Sequence, residues 1–156
     1  MFKNARIEMS KFKQVTCEDS LLKVDARVLI TNSNFQDNVS NKRGAILSVK
    51  GKESEVIVFN STFKGNSARM GGVVFLDKNS SAKFYDCSFE SNFAFVGGVF
   101  FGEQHRSLFM QNYMIINNSA ITSSILYSQL SYENSTFNTG HIANNNELIK
   151  IISSFD

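Results

Sequence analysis

A short motif recurs along this chain, and its recurrence constrains the fold more than any other feature of the sequence. Each copy has an asparagine or aspartate, a large apolar residue three positions later and a second asparagine after three more. The four best copies are NSNFQDN (32–38), NSTFKGN (60–66), DCSFESN (86–92) and NYMIINN (112–118). Small residues followed by an apolar run come next in each repeat: GAIL (44–47), GGVVFL (71–76), GGVFF (97–101) and SSILY (123–127).

The spacing of the motif predicts stacked coils with turns of different lengths. A partial copy, NSTF (134–137), and two fainter ones, MSKF (9–12) and ISSF (152–155), extend the series. Successive central residues are 23, 28, 26, 26, 22 and 18 positions apart. The runs between turns, such as VIVF (56–59), are short, β-branched and aromatic, which predicts strands. We therefore expect an all-β parallel β-helix of about six coils. It would be a single segment over residues 1–156, with the best repeats in 28–127, and part of a longer protein.

Composition agrees with a folded β domain and disfavours some functions. The chain is 42% hydrophobic, yet no run of 18 apolar residues is present to span a membrane. Its 16 basic and 14 acidic residues are scattered and leave a net charge of +2, which disfavours nucleic acid as a partner. Proline is absent, so glycine, asparagine and serine must form the turns.

Stacked coils place equivalent residues above one another, so the motif predicts two internal ladders. The apolar ladder comprises Phe35, Phe63, Phe89, Ile115 and Phe137, and the amide ladder comprises Asn38, Asn66, Asn92 and Asn118. Asparagine at these bends suits a left-handed backbone. Simple alternation along the strand predicts that Ser61, Phe59 and Ile57 point inward with Phe63, and that Asn60 and Val58 point outward.

The two blocks in register resemble the repeat of the chlamydial polymorphic outer-membrane proteins, which large surface proteins of some protists share. The matching residues are Phe35, Asn38, Gly44, Ala45, Ile46, Phe63, Asn66, Gly71, Gly72, Val73, Phe89, Asn92, Gly97, Gly98 and Val99. The resemblance covers residues 28–127. It implies a pectin-lyase-like, right-handed parallel β-helix in an exported adhesin or surface protein, and it supplies no catalytic residue.

Residues that could carry chemistry do not align between coils. Glycan cleavage requires two carboxylates, or a carboxylate and a base, within reach of one bond. Only Asp86 shares a motif position with its neighbours, Asn60 and Asn112, and we interpret it as a substitute for asparagine on the outer face. His105 and His141 fall in different coils without ligand spacing and are predicted to be solvated loop residues. We expect no enzyme, no cofactor and no metal site.

Cysteines, glycosylation sequons and loop charges complete the sequence predictions. Cys17 and Cys87 would lie about 14 Å apart at ~4.8 Å per coil, too far for a disulfide. Cys87 is predicted to be buried, whereas Cys17 could bond outside the segment. Five sequons begin at Asn38, Asn60, Asn79, Asn117 and Asn134. Asn60, Asn79 and Asn134 are the candidate N-glycosylation sites, because Asn38 belongs to the inner ladder. Lys42-Arg43 and Lys50-Gly-Lys52 are predicted to be isolated loop charges.

Three functions remain open from the sequence. The first is a non-enzymatic structural or adhesive module of an extracellular or cell-surface glycoprotein, with loops 50–55 and 102–106 available for contacts. The second is a subunit of an extracellular fibre, because unpaired coil ends permit end-to-end stacking. The third is a polysaccharide-binding or polysaccharide-cleaving domain, based on analogy of fold alone. The corresponding partners are other segments of the same protein, further copies of the chain, or glycans.

Overall fold

The chain forms consecutive coils of short strands. The computed structural model describes residues 4–129, 135–146 and 149–152. Coil one contains β1 (Asn4–Glu8), β2 (Lys11–Lys13), β3 (Thr16–Cys17) and β4 (Leu22–Val24). Coil two contains β5 (Arg27–Thr31), β6 (Asn34–Gln36), β7 (Val39–Ser40) and β8 (Leu47–Val49). Coil three contains β9 (Glu55–Phe59), β10 (Thr62–Lys64), β11 (Ser67–Met70) and β12 (Val74–Leu76). Coil four contains β13 (Ser81–Tyr85), β14 (Ser88–Glu90), β15 (Phe93–Val96) and β16 (Phe100–Glu103). Coil five contains β17 (Ser107–Ile116), β18 (Ser119–Thr122) and β19 (Leu126–Gln129), and β20 (Ser135–Ala143) and β21 (Ile149–Ile152) follow it.

Equivalent strands of successive coils pair in parallel and form three sheets. In the first sheet the order is β1-β5-β9-β13-β17-β14-β10-β6-β2, and β20 also pairs with β17. The second sheet has the order β18-β15-β11-β7-β3, and the third has β21-β19-β16-β12-β8-β4. The predicted all-β parallel solenoid is therefore confirmed, with about five turns where the motif count suggested about six.

The apolar ladder forms as predicted over most of its length. Phe12, Phe35, Phe63, Phe89 and Ile115 occupy equivalent positions in successive coils. Neighbouring phenylalanine rings stack with centroid separations of 5.2, 5.1 and 4.9 Å along this series. Because this column lies inside the coils, it removes a continuous strip of aromatic surface from water.

The prediction that Phe137 continues this ladder is wrong. Strand β20 pairs with β17 so that Phe137 faces Met110, while Ile142 faces Ile115. Phe137 therefore belongs to the inward column of Met110, which lies nearer the start of strand β17 than the ladder column of Ile115. The reason is that the NSTF copy lacks the asparagine three residues after its apolar residue, whereas Ile142 is followed at that spacing by Asn145. The amide of Asn145 then occupies the next ladder position and fixes the register.

The buried amide ladder is confirmed and extends one coil further than predicted. Each side-chain NH₂ donates to the backbone carbonyl of the motif residue in the preceding coil, as from Asn66 to Phe35 at 2.9 Å. From Asn66 onwards, each side-chain oxygen accepts from the backbone N–H of the preceding ladder asparagine, as at 3.0 Å from Asn66 to Asn92, whereas the oxygen of Asn38 accepts from the N–H of Val15. Asn145 accepts in the same way from Asn118 at 2.8 Å. These bonds satisfy amide groups that would otherwise be costly to bury.

The predicted inward and outward faces before the first bend are wrong. Val58 is buried, whereas Ile57 is only half-buried and Phe59 is exposed. Asn60 is exposed as predicted and Ser61 is buried, so alternation is correct on the far side of the bend. The reason is that Asn60 adopts a left-handed backbone, with φ of 44°, which resets the alternation of the strand.

Left-handed residues mark the bends, but they are not the ladder asparagines. Before Asn38, Asn66, Asn92 and Asn118, the left-handed positions are Asp37, Gly65, Ser91 and Asn117. A third bend uses the small-residue pairs, where Gly71 and Gly97 both have φ of 66°. A Cβ atom on the following residue, Gly72, would overlap the backbone oxygen of Gly98 in the next coil. Glycine is therefore required at position 72 for close stacking of the coils.

Candidate functional site

The outer face of the second sheet presents large apolar residues over a column of small buried ones. Ala68, Ala94 and Ala120 face inward in three successive coils. The residues immediately after them therefore stack on the outer face, and these are Arg69, Phe95 and Ile121. The column changes from a cation in coil three to apolar side chains in coils four and five.

Phe95 and Ile121, together with Phe93 on the other side of Ala94, form an exposed apolar cluster, which we name the sheet-two patch. The exposed fractions of Phe93, Phe95 and Ile121 are 39%, 46% and 75%, respectively. The rings of Phe93 and Phe95 meet edge to face with centroids 6.0 Å apart. Grouped exposed apolar side chains on a rigid surface are characteristic of interaction sites, because isolated ones are common but clusters are costly.

A groove of about 370 Å³ borders the patch on the side of the earlier coils. We name it the basic groove, and its lining consists of Lys42, Arg43, Arg69, Met70, Phe95 and Val96. Three of the six lining residues are cationic and none is acidic. Phe95 belongs to both features, so the patch and the groove form one continuous surface.

The three cations of the groove differ in their existing partners. Lys42 forms an exposed ion pair with Glu18 at 3.0 Å, and this hydrogen bond lowers the pKa of the Glu18 carboxyl. The guanidinium of Arg43 lies 5.0 Å from the ring centroid of Phe75. Arg69 has no acidic partner within ion-pair distance among the residues that the structure describes. Lys42 and Arg43 are exposed, as predicted for loop charges, but the prediction that they are isolated is wrong.

A second groove, of about 400 Å³, brings together acids that the sequence did not align. Asp19 and Asp25 line it together with Lys23, Arg43 and Lys50, and also Val24 and Ser48. Asp19 pairs with Lys23 at 3.2 Å, while its other carboxylate oxygen is buried without a hydrogen bond in the described part of the chain. We name this the mixed-charge groove. It places carboxylates, which can act in acid–base chemistry, beside cationic side chains.

Asp86 lies where the sequence predicted, in an outer column of amides. The NH₂ group of Asn112 donates to the Asp86 carboxylate at 3.2 Å, and that of Asn60 donates to Asn32 at 2.8 Å. All four residues of this column have positive φ, between 44° and 54°. Asp86 therefore replaces an asparagine at a left-handed bend.

The prediction that His105 is a solvated loop residue is wrong. His105 is buried, and its ring fills the space that a side chain at Gly102 would occupy. Its Nε2 atom lies 3.3 Å from the hydroxyl of Ser135, while Nδ1 has no hydrogen-bond partner in the described structure. Burial disfavours the charged ring and lowers the pKa of His105 to about 4. His141 is exposed, as predicted, but it lies in strand β20 and not in a loop.

The buried histidine predicts acid sensitivity of the solenoid. Between pH 6.5, its ordinary pKa, and pH 4, the unfolded chain binds a proton at His105 that the folded chain does not bind. The free energy of unfolding should therefore fall as the pH decreases, by up to about 3 kcal/mol. Urea unfolding from pH 7 to pH 4 measures this loss. His105→Gln should remove that component, whereas His141→Gln should retain it, and identical pH profiles for all three proteins would refute the assignment.

The cysteines are free, and the described residues contain no grouped metal ligands. Cys87 is buried as predicted, and burial raises the pKa of its thiol to about 11. Cys17 is partly exposed, so a bond beyond this segment stays a prediction. Over residues 4–129, 135–146 and 149–152, no three His, Cys, Asp or Glu side chains are placed to hold a metal ion.

The structure separates the candidate glycosylation sites. Asn38 is buried, in agreement with its exclusion as a site. Asn60 and Asn79 are exposed, although the NH₂ group of Asn60 already bonds to Asn32. Asn134 lies outside the described residues, as does the faint ISSF copy beyond residue 152. Modification of Asn60, Asn79 and Asn134 stays a prediction.

Comparisons with known proteins leave the fold as the main guide to function. No family model, no curated protein and no solved structure matches this chain. In the part of the chain that the structure describes, no helix has the length and hydropathy to cross a membrane. The chain is therefore described by its class, a parallel β-solenoid of three sheets.

Sequence reasoning missed both the sheet-two patch and the two grooves. The available signal was an Ala–large residue pair at one position of each repeat: Ala68-Arg69, Ala94-Phe95 and Ala120-Ile121. Once the coils are in register, the alanine column marks the inward face and identifies its neighbours as exposed. The mixed-charge groove has no such signal, because its residues come from two coils and from unaligned turns.

Proposed function

We propose that this chain is a non-enzymatic structural and adhesive module of an extracellular or cell-surface protein, built from repeats of the polymorphic outer-membrane type. The solenoid serves as a stiff scaffold, and the outer face of the second sheet makes the adhesive contacts. The observation that carries this proposal is the sheet-two patch, in which Phe93, Phe95 and Ile121 remain exposed on the outer face of the second sheet.

The division between inner and outer columns supports the proposal. The interior is occupied by ladders of phenylalanine and asparagine whose bonding needs are met within the chain. The outer column of the second sheet carries no such requirement, and its residues vary from charged to apolar between coils. A scaffold of this kind fixes the spacing of its surface side chains at ~4.8 Å along the axis, which suits display of a binding surface.

An assay of location and adhesion tests the proposal. Antibodies against the chain should label intact, unpermeabilised cells of the organism that produces it. Beads coated with the purified chain should adhere to the cells or matrix that it contacts, and beads coated with heat-unfolded chain should not. Labelling only after permeabilisation, or equal adhesion by the unfolded chain, would contradict the proposal.

The mixed-charge groove favours a second candidate function, the binding or cleavage of a polysaccharide. Asp19 and Asp25 would accept hydrogen bonds from sugar hydroxyls, and the neighbouring lysines would contact acidic groups. Release of reducing ends from polygalacturonate, glucan and chitin tests cleavage directly. Activity that is lost in Asp19→Asn and retained in Asp37→Asn would establish this function in place of the adhesive one.

A further inference from the structure

The surface formed by the sheet-two patch and the basic groove changes from cationic to apolar along the solenoid axis. Cationic side chains occupy the surface of coils two and three, through Lys42, Arg43 and Arg69. Apolar side chains occupy coils four and five, through Phe95 and Ile121. The change follows the solenoid axis, so the surface is divided into a charged half and an apolar half.

We infer that this surface binds an extended protein segment in which a cluster of acidic residues adjoins a cluster of apolar residues. The segment lies across the coils, with its carboxylates towards coils two and three and its apolar side chains towards coils four and five. This inference rests on the proposed adhesive function and names the chemistry of the partner. Charge complementarity supports it, because the groove lining contains three cations and no acid.

Arg69 is the central contact in this arrangement. Lys42 already has Glu18 as its partner, and Arg43 lies against the ring of Phe75. Arg69 has no acidic partner in the described structure and lines the basic groove together with Phe95. A guanidinium forms paired hydrogen bonds with a carboxylate, and such charge-assisted bonds are stronger than neutral ones.

The pairing of the second sheet determines how the segment can bind. Strands β7, β11 and β15 each have a neighbouring strand on both sides. Their backbone groups are therefore occupied, and a partner cannot add to this part of the sheet as a further strand. Over these three strands recognition must come from side chains, which favours a segment that crosses the coils.

A protein partner fits the apolar half better than a glycan does. Sugar rings are recognised by stacking on aromatic faces, and Phe95 offers one. Ile121, however, is the most exposed side chain of the patch and is a branched aliphatic. Aliphatic and aromatic side chains together are buried by apolar side chains of a protein, in the way that the centres of protein interfaces are built.

Fluorescence anisotropy with synthetic peptides tests the inference. The probe is a labelled peptide with consecutive glutamates followed by leucine and phenylalanine, and the full chain is titrated into it. We expect saturable binding that weakens as the salt concentration rises. A peptide with lysine in place of glutamate, and one of the same composition with acidic and apolar residues alternating, should each bind at least about tenfold more weakly.

Two variants and a matched control locate the binding surface. Arg69→Glu and Ile121→Ser should each weaken peptide binding at least about tenfold. Arg106→Glu, which changes an exposed arginine in another turn, should leave binding unchanged. All three positions are exposed, so unaltered circular dichroism and thermal midpoints should show that the variants fold.

Several results would overturn the inference. These are absence of peptide binding, equal affinity for the alternating or lysine peptide, or an Arg69→Glu variant that binds normally. Preferential binding to polygalacturonate, or to vesicles of phosphatidylserine and phosphatidylcholine, would assign the surface to a glycan or a membrane. Bead adhesion without peptide binding refutes only this inference, whereas peptide binding without bead adhesion refutes the adhesive function.

Discussion

Replacing Asn92 by aspartate is expected to destabilise the solenoid by about 3–5 kcal/mol, because it places an unpaired charge in a buried ladder. The Asn92 NH₂ group donates to the carbonyl of Phe63 at 3.0 Å and to the side-chain oxygen of Asn118 at 2.9 Å. An aspartate oxygen at that position would face two acceptor oxygens with no proton between them. The side chain of Asn92 is fully buried, so water cannot compensate.

Urea unfolding at pH 7 measures this effect, and Asn32→Asp is the matched control. Asn32 also accepts a side-chain hydrogen bond across coils, from Asn60 at 2.8 Å, but it is exposed. Its oxygen already acts as the acceptor, so aspartate keeps the bond and should change the free energy of unfolding little. Equal losses in the two variants would show that burial of the inner amides is not what makes them essential.

Replacing Phe89 by alanine is expected to cost about 3–5 kcal/mol, because it opens a cavity in the middle of the aromatic core. Phe89 is fully buried and stacks on Phe63 with ring centroids 4.9 Å apart. It also meets Phe84 at 5.3 Å and Phe100 at 5.2 Å, so its ring contacts columns from two strands of coil four. Adjacent coils cannot close this gap, since their spacing is fixed by backbone hydrogen bonds.

The matched control for Phe89→Ala is Phe93→Ala, an equal loss of side chain from the exposed patch. Phe93 lies on the outer face of the next strand and makes one edge-to-face contact, with Phe95. Its removal should lower the unfolding midpoint only slightly. If both variants unfold at the same urea concentration, the aromatic ladder does not stabilise the fold in the way described.

The ladders could be predicted from the sequence because each coil repeats them at a nearly constant interval. Ladder asparagines joined by hydrogen bonds are separated by 28, 26, 26 and 27 residues from Asn38 to Asn145. Periodicity of this kind survives changes in turn length. The prediction for Phe137 failed because a strong local match, NSTF, outweighed the weaker pattern at Ile142 and Asn145, which preserves the interval.

Other features depend on the backbone and could not be predicted from residue types alone. The left-handed conformation of Asn60 reverses the faces of Val58 and Phe59. A prediction from simple alternation assumes an extended backbone throughout and therefore misses this reversal. His105 is buried because Gly102 leaves room for its ring inside the coil. A histidine in a polar sequence is ordinarily exposed. The burial of His105 becomes evident only when the position of Gly102 beside its ring is known.

The candidate sites depend on register between coils, which explains why the sequence did not show them. Arg69, Phe95 and Ile121 are adjacent only after the coils stack. The functional proposals rest on this arrangement, and the stacking of copies into fibres stays a prediction. The inner columns determine the fold. The outer columns are free to vary, and the proposed binding surface is therefore assigned to them.

The most direct test of this account separates adhesion from stability in one variant. We predict that the double substitution Phe95→Ser and Ile121→Ser abolishes adhesion of coated beads while leaving the urea midpoint within experimental error of the unmodified chain. Both side chains are exposed on the outer face, so their loss should not disturb the inner ladders. Retention of full adhesion by a folded double variant would contradict the claim that this face makes the contacts.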